Sequence, residues 1–385
     1  MDSKRMIARR FVMGLALSAV VAPLLPLAAA PARSLPVYVG MHGSEIRLGR
    51  FDPKSGALAM EGPVASVPRP TWTIRHPRLP VLYSVNEEGN DGSKNGSILA
   101  FRIDPKSGAL TRLNEVDAGG GGTTYLAIDP RSMTLIAANY AGGSVATFPI
   151  LKDGSLGPAA SNVAATGSGP HRRQTKAHAH SVAIDPSGHF VLAADLGADR
   201  LLVYPFDGKA HALRPDAPGK ERHFVARSGS GPRHIAFHPG GKFLYLINEL
   251  TAEVQAFGWD ASTGHLSLLQ TVATNSPDHR GDSSASEILV SADGRFVYAG
   301  NRGENSLLVY AIDSRKGTLS LVQRIGSGGE VPWGFAFAPD GRWLLVANEK
   351  SDRVSIFAID RRTGRLRDSG QLATSPKPVS FSFAP

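Results

Sequence analysis

Apolar residues in this chain come in short runs of two kinds that follow one another in a fixed order. The first kind alternates like a half-buried strand, as in Val182-Ala183-Ile184, Ile235-Ala236-Phe237 and Phe335-Ala336-Phe337. The second is uniformly apolar, as in Phe190-Val191-Leu192-Ala193-Ala194, Phe243-Leu244-Tyr245-Leu246-Ile247 and Trp343-Leu344-Leu345-Val346-Ala347. That is the character of a strand covered on both faces by neighbouring sheets. A polar turn then leads to a third strand, such as Leu201-Leu202-Val203-Tyr204, Leu307-Leu308-Val309-Tyr310 or Val354-Ser355-Ile356-Phe357. In several copies a segment Asp-x-x-x-Gly-x-Leu forms the hairpin into an outer strand, at Asp52 to Leu58, Asp104 to Leu110, Asp313 to Leu319 and Asp360 to Leu366.

The whole order recurs. Pro77, Pro130, Pro186, Pro239, Ala292, Pro339 and Pro385 mark the end of each alternating run, at intervals of 53, 56, 53, 53, 47 and 46 residues. Nine residues after each of the first six markers stands Asn86, Asn139, Asp195, Asn248, Asn301 or Asn348, at a position that suits a turn-capping side chain. This is a propeller-blade period, and the sequence predicts an all-β, seven-bladed β-propeller with four-stranded blades. Residues 37–58 read as the later strands of a blade that lacks its opening strand, and 378–385 as an opening strand with nothing after it. Pairing of these N- and C-terminal strands is expected to close the ring and remove its free edges.

Composition adds limits. With 42% hydrophobic residues the chain can bury a large core, and the absence of cysteine excludes thiolate catalysis and Cys-ligated zinc. Residues 1–32 carry a basic start (Lys4, Arg5, Arg9, Arg10), an apolar run from Phe11 to Ala30 and small residues at Ala30-Pro31-Ala32, the order of an export signal. The pair Arg9-Arg10 before Phe11-Val12-Met13 resembles a twin-arginine signal. An uncleaved anchor helix is the alternative, although Pro23 and Pro26 interrupt the run. The expected organisation is therefore an export signal over 1–32 and one propeller domain over 33–385, located in the periplasm or secreted.

Of the formal charge of +9, about +6 remains outside the first 32 residues, spread rather than clustered. Only short pairs such as Arg172-Arg173 and Arg361-Arg362 occur, without interleaved aromatics, so small anions are expected ligands and nucleic acid is not.

In a propeller the loops at one mouth of the central channel converge on the axis. The residues six and five before each marker are Thr71-Trp72, Thr124-Tyr125, His180-Ser181, Arg233-His234, Ser286-Glu287, Trp333-Gly334 and Val379-Ser380. One residue past the Asn or Asp series come Glu87, Tyr140, Leu196, Glu249, Arg302 and Glu349, expected near the same level. The pieces Gly231-Pro232-Arg233-His234, Asn248-Glu249, Ala177-His178-Ala179-His180, Asp195-Leu196-Gly197-Ala198-Asp199, Ala285-Ser286-Glu287-Ile288 and Asn301-Arg302-Gly303 resemble those of a known family. It is the lactonase family of seven-bladed propellers, which contains bacterial 6-phosphogluconolactonase and the fungal carboxy-muconate lactonizing enzyme. The likeness spans essentially all of residues 33–385. It implies opening or closing of a lactone ring without a metal or other cofactor, by a His, an Arg and a Glu near the channel mouth. Those roles fall on His180, Arg233 and Glu249, with Arg302 as a second cation and His234, Glu287 and His178 as further substrate-binding candidates.

The residue types suit that chemistry: His180 as general base, Glu249 to orient it or exchange roles with it, and Arg233 to hold the developing oxyanion or an anionic group of the substrate. The expected partner is one small, anionic lactone bound by a monomer. Structural readings stand beside each assignment. His180 could be a hydrogen-bonded interior histidine, Arg233 and Glu249 a bracing ion pair, and His178 and His234 packing residues. The histidines of 171–180 lie on a loop and strand rather than at helical spacing, so no metal site is expected there. Other functions compatible with the chain are a muconate-type lactonizing enzyme, a calcium-dependent gluconolactonase and an exported binding module without chemistry.

Overall fold

The computed structural model describes residues 34–384; the expected export signal lies outside them. Among the described residues no helix is long and apolar enough to cross a membrane. The strands form seven antiparallel sheets, the blades of a propeller. Blade 1 comprises Thr73–Arg75, Val81–Asn86, Ser97–Ile103 and Leu110–Asp117. Blades 2 to 6 open with Thr123–Asp129, Ala179–Ile184, Pro232–Phe237, Ala285–Val290 and Pro332–Phe337. Blade 7 takes its innermost strand, Pro378–Phe383, from the end of the chain and its other strands, Leu35–Met41, Glu45–Phe51 and Leu58–Ser66, from the beginning. Val37 pairs with Phe383 and Val39 with Phe381, so the ring closes as the sequence predicts. Blade 3 departs from the four-stranded rule: both Ala212–Leu213 and His223–Val225 pair with Arg200–Asp207, giving five strands.

The uniformly apolar second strands are explained by what they touch. Seven apolar clusters lie between the blades, each joining two neighbours. In blade 4, Tyr245 and Ile247 enter the cluster shared with blade 5, whereas Leu244 and Leu246 enter the one shared with blade 3. Successive side chains point to opposite faces, and both faces are covered. The Asp-x-x-x-Gly-x-Leu hairpins serve the same interfaces. The Tyr38, Tyr245 and Tyr298 hydroxyls donate to the carbonyls of Gly108, Gly317 and Gly364 in the next blade, at 2.7, 3.1 and 2.8 Å, and Tyr83 does the same to Gly154 at 2.8 Å in the corresponding hairpin 150–156, which has Ile150 in place of the Asp. Gly317 has φ +72°, and a Cβ there would come within 2.3 Å of the Phe243 ring, so the tight turn and the close approach both require glycine.

The Asn/Asp series ends the second strand of blades 1 to 6 and is buried. Asn139 donates to the Ala118 carbonyl, Asn348 to the Ser327 carbonyl and Asn301 to Asn275 Oδ1, while Asp195 Oδ1 accepts the Ala198 and His178 N–H groups. These bonds tie the turn to the loop that enters the blade. That loop and that turn together form the mouth.

Deleting residues 378–385 should open the ring. It removes buried Val379 and the Phe381 and Phe383 rings that pack on the blade 6–7 cluster, and it bares the edge of Leu35–Met41. The expected result is a broad, low-temperature unfolding transition and self-association, checked by calorimetry and size-exclusion chromatography. A transition at the parental temperature would contradict ring closure by this strand.

Candidate active site

The residues at the mouth owe their direction to a repeated irregularity of the ladder. In blade 3, Ala179 pairs with Asp195 and Ser181 with Ala194, which leaves His180 as an extra residue. In blade 4, Pro232 pairs with Asn248 and His234 with Ile247, leaving Arg233. Thr124, Trp333 and Val379 take the same place in blades 2, 6 and 7, and in blade 5 the slip falls at Ser286-Glu287. A β-bulge frees one residue from pairing and breaks the strict alternation of the strand. Arg233 and His234, though consecutive, therefore both line the axis, with Thr71, Trp72, Thr124, His180, Glu287, Trp333 and Val379, around a cavity of about 10 Å³. That is room for roughly one water. Trp72 stacks on Tyr125 with ring centroids 4.0 Å apart, and both rings meet the His234 edge.

The residue after each Asn or Asp is fixed from the other side. The main-chain N–H of Glu249 donates to the Gly231 carbonyl at 2.7 Å, and that of Arg302 to the Ser284 carbonyl at 2.7 Å. Both side chains thereby enter at the level of the bulges. Glu249 is the hub: Oε2 accepts from Arg233 Nε at 3.0 Å, Oε1 lies 2.9 Å from Arg302 Nη2, and Oε1 also accepts from Arg173. His180 Nε2 stands 3.7 Å from Glu249 Oε2. Arg302 further donates to the Ala285 carbonyl at 2.9 Å, and Trp333 lies beneath its guanidinium, 4.5 Å from the ring centre. His180 Nδ1 and Arg302 Nε are buried with no hydrogen-bond partner among the described residues.

Burial works against every charge here, and the neighbours decide which charges survive. Burial pushes the Glu249 carboxyl up, but Arg302, Arg173 and Arg233 outweigh it and hold it well below the usual carboxylate range. His180 goes the other way: burial, then the Arg233 and His234 charges, drive it well below the ordinary imidazole range despite Glu249. Burial and Arg233 do the same to His234. Even Arg233 falls to about 10, through burial and the Arg302 charge. The outcome near pH 7 is two neutral imidazoles and three guanidinium groups on one carboxylate, an excess of positive charge.

His234 Nε2 is 3.1 Å from Arg233 Nη1, which can only donate, so His234 carries its proton on Nδ1 and gives it to Glu287 Oε1 at 2.8 Å. With the imidazole neutral, this contact is a hydrogen bond rather than an ion pair. Burial raises Glu287 to about 7, against the pull of Arg233 and the Ile288 N–H. A raised carboxyl contributes stability that is fully present below about pH 4.5 and is lost as pH rises through about 7. Glu287→Gln keeps the amide oxygen for His234 and removes that titration. Its stability relative to the parent should therefore climb by roughly 3 kcal/mol between pH 4.5 and 8, in paired denaturant melts. A difference that does not vary with pH would place Glu287 outside this environment.

Of the residues singled out in the sequence, His180, Arg233, Glu249 and Arg302 meet directly; His234 joins them through Arg233, and Glu287 through His234. His178 stands apart from the hub: its ring stacks on Tyr140 at 4.5 Å and its Nδ1 meets the Tyr140 carbonyl at 2.8 Å. Sequence reasoning passed over Arg173, which appeared only as half of a charge pair. It sits in the loop entering blade 3, and the 56-residue interval containing that loop, the longest of the series, is the one signal that marks it. Buried Gln174 anchors the loop, donating to the Leu196 carbonyl and to Asp199 Oδ1 at 2.8 and 2.7 Å. Asp199 also accepts the N–H groups of Gly229 and Gly231, at 2.7 and 2.8 Å, and so bolts the loops that carry Arg173 and Arg233 to each other.

Comparison with known proteins gives this mouth a setting. The family described as "Lactonase, 7-bladed beta-propeller" matches residues 36–383. The chain is 35% identical over 312 residues to the 6-phosphogluconolactonase of Bacillus subtilis, covering 78% of this chain and 84% of that one. It is 33% identical over 300 residues to the 6-phosphogluconolactonase of Formosa agariphila, covering 77% and 83%. Among solved structures, the periplasmic gluconolactonase of Pseudomonas aeruginosa superposes with a TM-score of 0.84 at 34% identity, covering 91% of this chain and 99% of that one. The chain belongs to the seven-bladed β-propeller lactonase family.

Proposed function

We propose that this chain hydrolyses a sugar-derived, negatively charged lactone outside the cytoplasm, by general acid–base catalysis at the mouth of the central channel and without a metal. The observation that carries the reading is the meeting of neutral His180 with three arginines on Glu249, where His180 Nδ1 and Arg302 Nε are buried and unspent. Buried polar atoms without partners are costly unless a ligand completes them. The excess of guanidinium charge favours an anion and opposes a divalent cation. Two relatives named 6-phosphogluconolactonase and a structural neighbour named a periplasmic gluconolactonase support the substrate class. The neighbour's location and the export-type segment at 1–32 support the compartment.

In this reading Glu249, beside Nε2, keeps the proton on that nitrogen and leaves Nδ1 as the acceptor. As a water oxygen attacks the lactone carbonyl carbon, His180 Nδ1 takes the water proton. The carbonyl oxygen becomes negative and is held by the unspent Arg302 Nε, with the charge of the Arg233 guanidinium beside it. The tetrahedral centre then collapses, the bond to the ring oxygen breaks, and the imidazolium returns its proton to that oxygen. Glu249 is a poor base because its charge is already bound by three cations; its work is to hold them and to favour the passing positive charge on His180.

The test is pH-stat titration of the chain from residue 33 against gluconolactone, its 6-phosphate and a small lactone panel, with and without chelator. The expected result is turnover above the spontaneous rate that chelator leaves intact. Absence of turnover on every lactone would favour a binding module, and loss on chelation would refute the metal-free mechanism.

A further inference from the structure

Arg173 differs from the other two cations on Glu249. The side chains of Arg233 and Arg302 are 1% and 7% exposed, whereas that of Arg173 is 38% exposed and comes from a rim loop rather than from a blade. It spans two groups that flank His180: one Nη donates to Glu249 Oε1 and the other to the Tyr140 hydroxyl at 3.0 Å, and the Tyr140 ring lies against His180 at 5.5 Å. The loop is anchored by Gln174 and Asp199, and it carries the exposed Arg172 and Lys176 beside Arg173. The axial cavity that His180 lines has space for about one water rather than a sugar ring, so a lactone that reaches His180 must displace a neighbouring group. The bridge is the one element of the cluster that can leave without burying an unpaired charge. Glu249 keeps Arg233 and Arg302, and Arg173 keeps its access to solvent.

We infer that Arg173 is the specificity-determining residue of this site, a latch on Glu249 that transfers its guanidinium to a phosphate or carboxylate substituent of the incoming lactone. The inference rests on the lactonase reading given above. The exchange conserves ion pairs: one Arg–carboxylate contact breaks and one Arg–anion contact forms, bidentate if the substituent presents two oxygens. It also couples recognition to chemistry. Once Arg173 has left, Glu249 has one cation fewer, and its field at His180 favours the imidazolium that forms as water is deprotonated. An anionic lactone would thus gain in kcat as well as in KM over a neutral one. Tyr140, whose hydroxyl oxygen accepts from Arg173, keeps its hydroxyl proton available for the same substituent.

The experiment uses binding and turnover together, so that this inference and the lactonase reading fail separately. Calorimetric titration of gluconate, 6-phosphogluconate and glucarate into the parent, Arg173→Gln and Arg173→Lys gives affinity ratios that isolate the second anionic group, since all three share the C1 carboxylate and gluconate has no other. Gluconolactone, its 6-phosphate and glucaro-1,4-lactone give the matching ratios of kcat/KM. Each ratio is internal to one preparation, so partial misfolding cancels. The prediction is a fall of about tenfold or more in the ratio with Arg173→Gln and a smaller fall with Arg173→Lys, which keeps the charge and loses the fork. A fall for 6-phosphogluconate alone identifies a phosphate reader, and a fall for glucarate as well identifies a general anion reader; either supports the latch. A ratio within twofold of the parent in Arg173→Gln, or a parent that binds 6-phosphogluconate and glucarate no better than gluconate, overturns it. Binding that follows the prediction without any hydrolysis would leave the latch standing and remove the lactonase reading.

Discussion

Replacing His180 by alanine is expected to lower lactone turnover by about 10²–10⁴-fold, the range typical of a lost general base. The fold should tolerate the change. His180 Nδ1 has no partner among the described residues and Nε2 has only the 3.7 Å contact to Glu249, so little hydrogen bonding is lost with the ring. What is lost is packing against Tyr140 and His234, at centroid distances of 5.5 and 5.2 Å. Because some stability goes with that packing, His180→Gln serves as the companion variant: it retains volume and polarity but no titratable nitrogen. Both variants should melt near the parent and both should be slow in initial-rate assays at equal folded concentration. Turnover within twofold of the parent in either folded variant would remove His180 from the chemistry.

The second large effect falls on stability. Glu249→Ala leaves Arg233 and Arg302 buried without their carboxylate, and an ion network broken from one side in this way costs about 3–5 kcal/mol. Arg173 adds little to that loss because it can return to water. Glu249→Gln should cost less, since the amide oxygen still accepts from one guanidinium. The mechanism has a signature that a simple cavity lacks: adding Arg302→Met to Glu249→Ala should recover part of the loss, because it removes one of the stranded charges. Denaturant melts of the two single variants and the pair measure this directly. A Glu249→Ala protein within about 1 kcal/mol of the parent would show that the arginines are solvated or otherwise paired.

What the sequence made legible follows from what repeats. The markers from Pro77 to Pro339 and the residues nine places on recur because each blade must bury its second strand against two neighbours and cap the same turn. Blade number, strand order and ring closure could therefore be read from spacing alone. The pairs six and five residues before each marker, including His180-Ser181 and Arg233-His234, were legible for the same reason, although they lie within the inner strands rather than ahead of them. The bulges were not. A bulge inserts one residue into a pairing without any compositional mark, yet it is what lets Arg233 and His234 both reach the axis and puts His180 on the same ring as Trp333 and Val379. Arg173 was hidden for a different reason, since it belongs to the longest of the described loops that enter the blades, 165–178, and its place at Glu249 emerges only when Gln174 and Asp199 anchor that loop. The split outer strand of blade 3 likewise lies in a segment, 207–225, that follows no repeat.

The proposed reaction turns on a neutral His180 acting as base within a cationic mouth, and the pH dependence of kcat/KM for gluconolactone tests it most directly, because that quantity reports groups of the free enzyme. Burial and the neighbouring cations hold His180 well below the ordinary imidazole range, so the base remains unprotonated as pH falls. The predicted profile, after subtraction of spontaneous hydrolysis, stays level from pH 8 to well below 6.5 before activity declines, and the declining limb is absent from the residual activity of His180→Ala. A limb at or above pH 6.5 that remains when the carboxyl near 7 is removed by Glu287→Gln, or one that persists unchanged in His180→Ala, would contradict the assignment of the base.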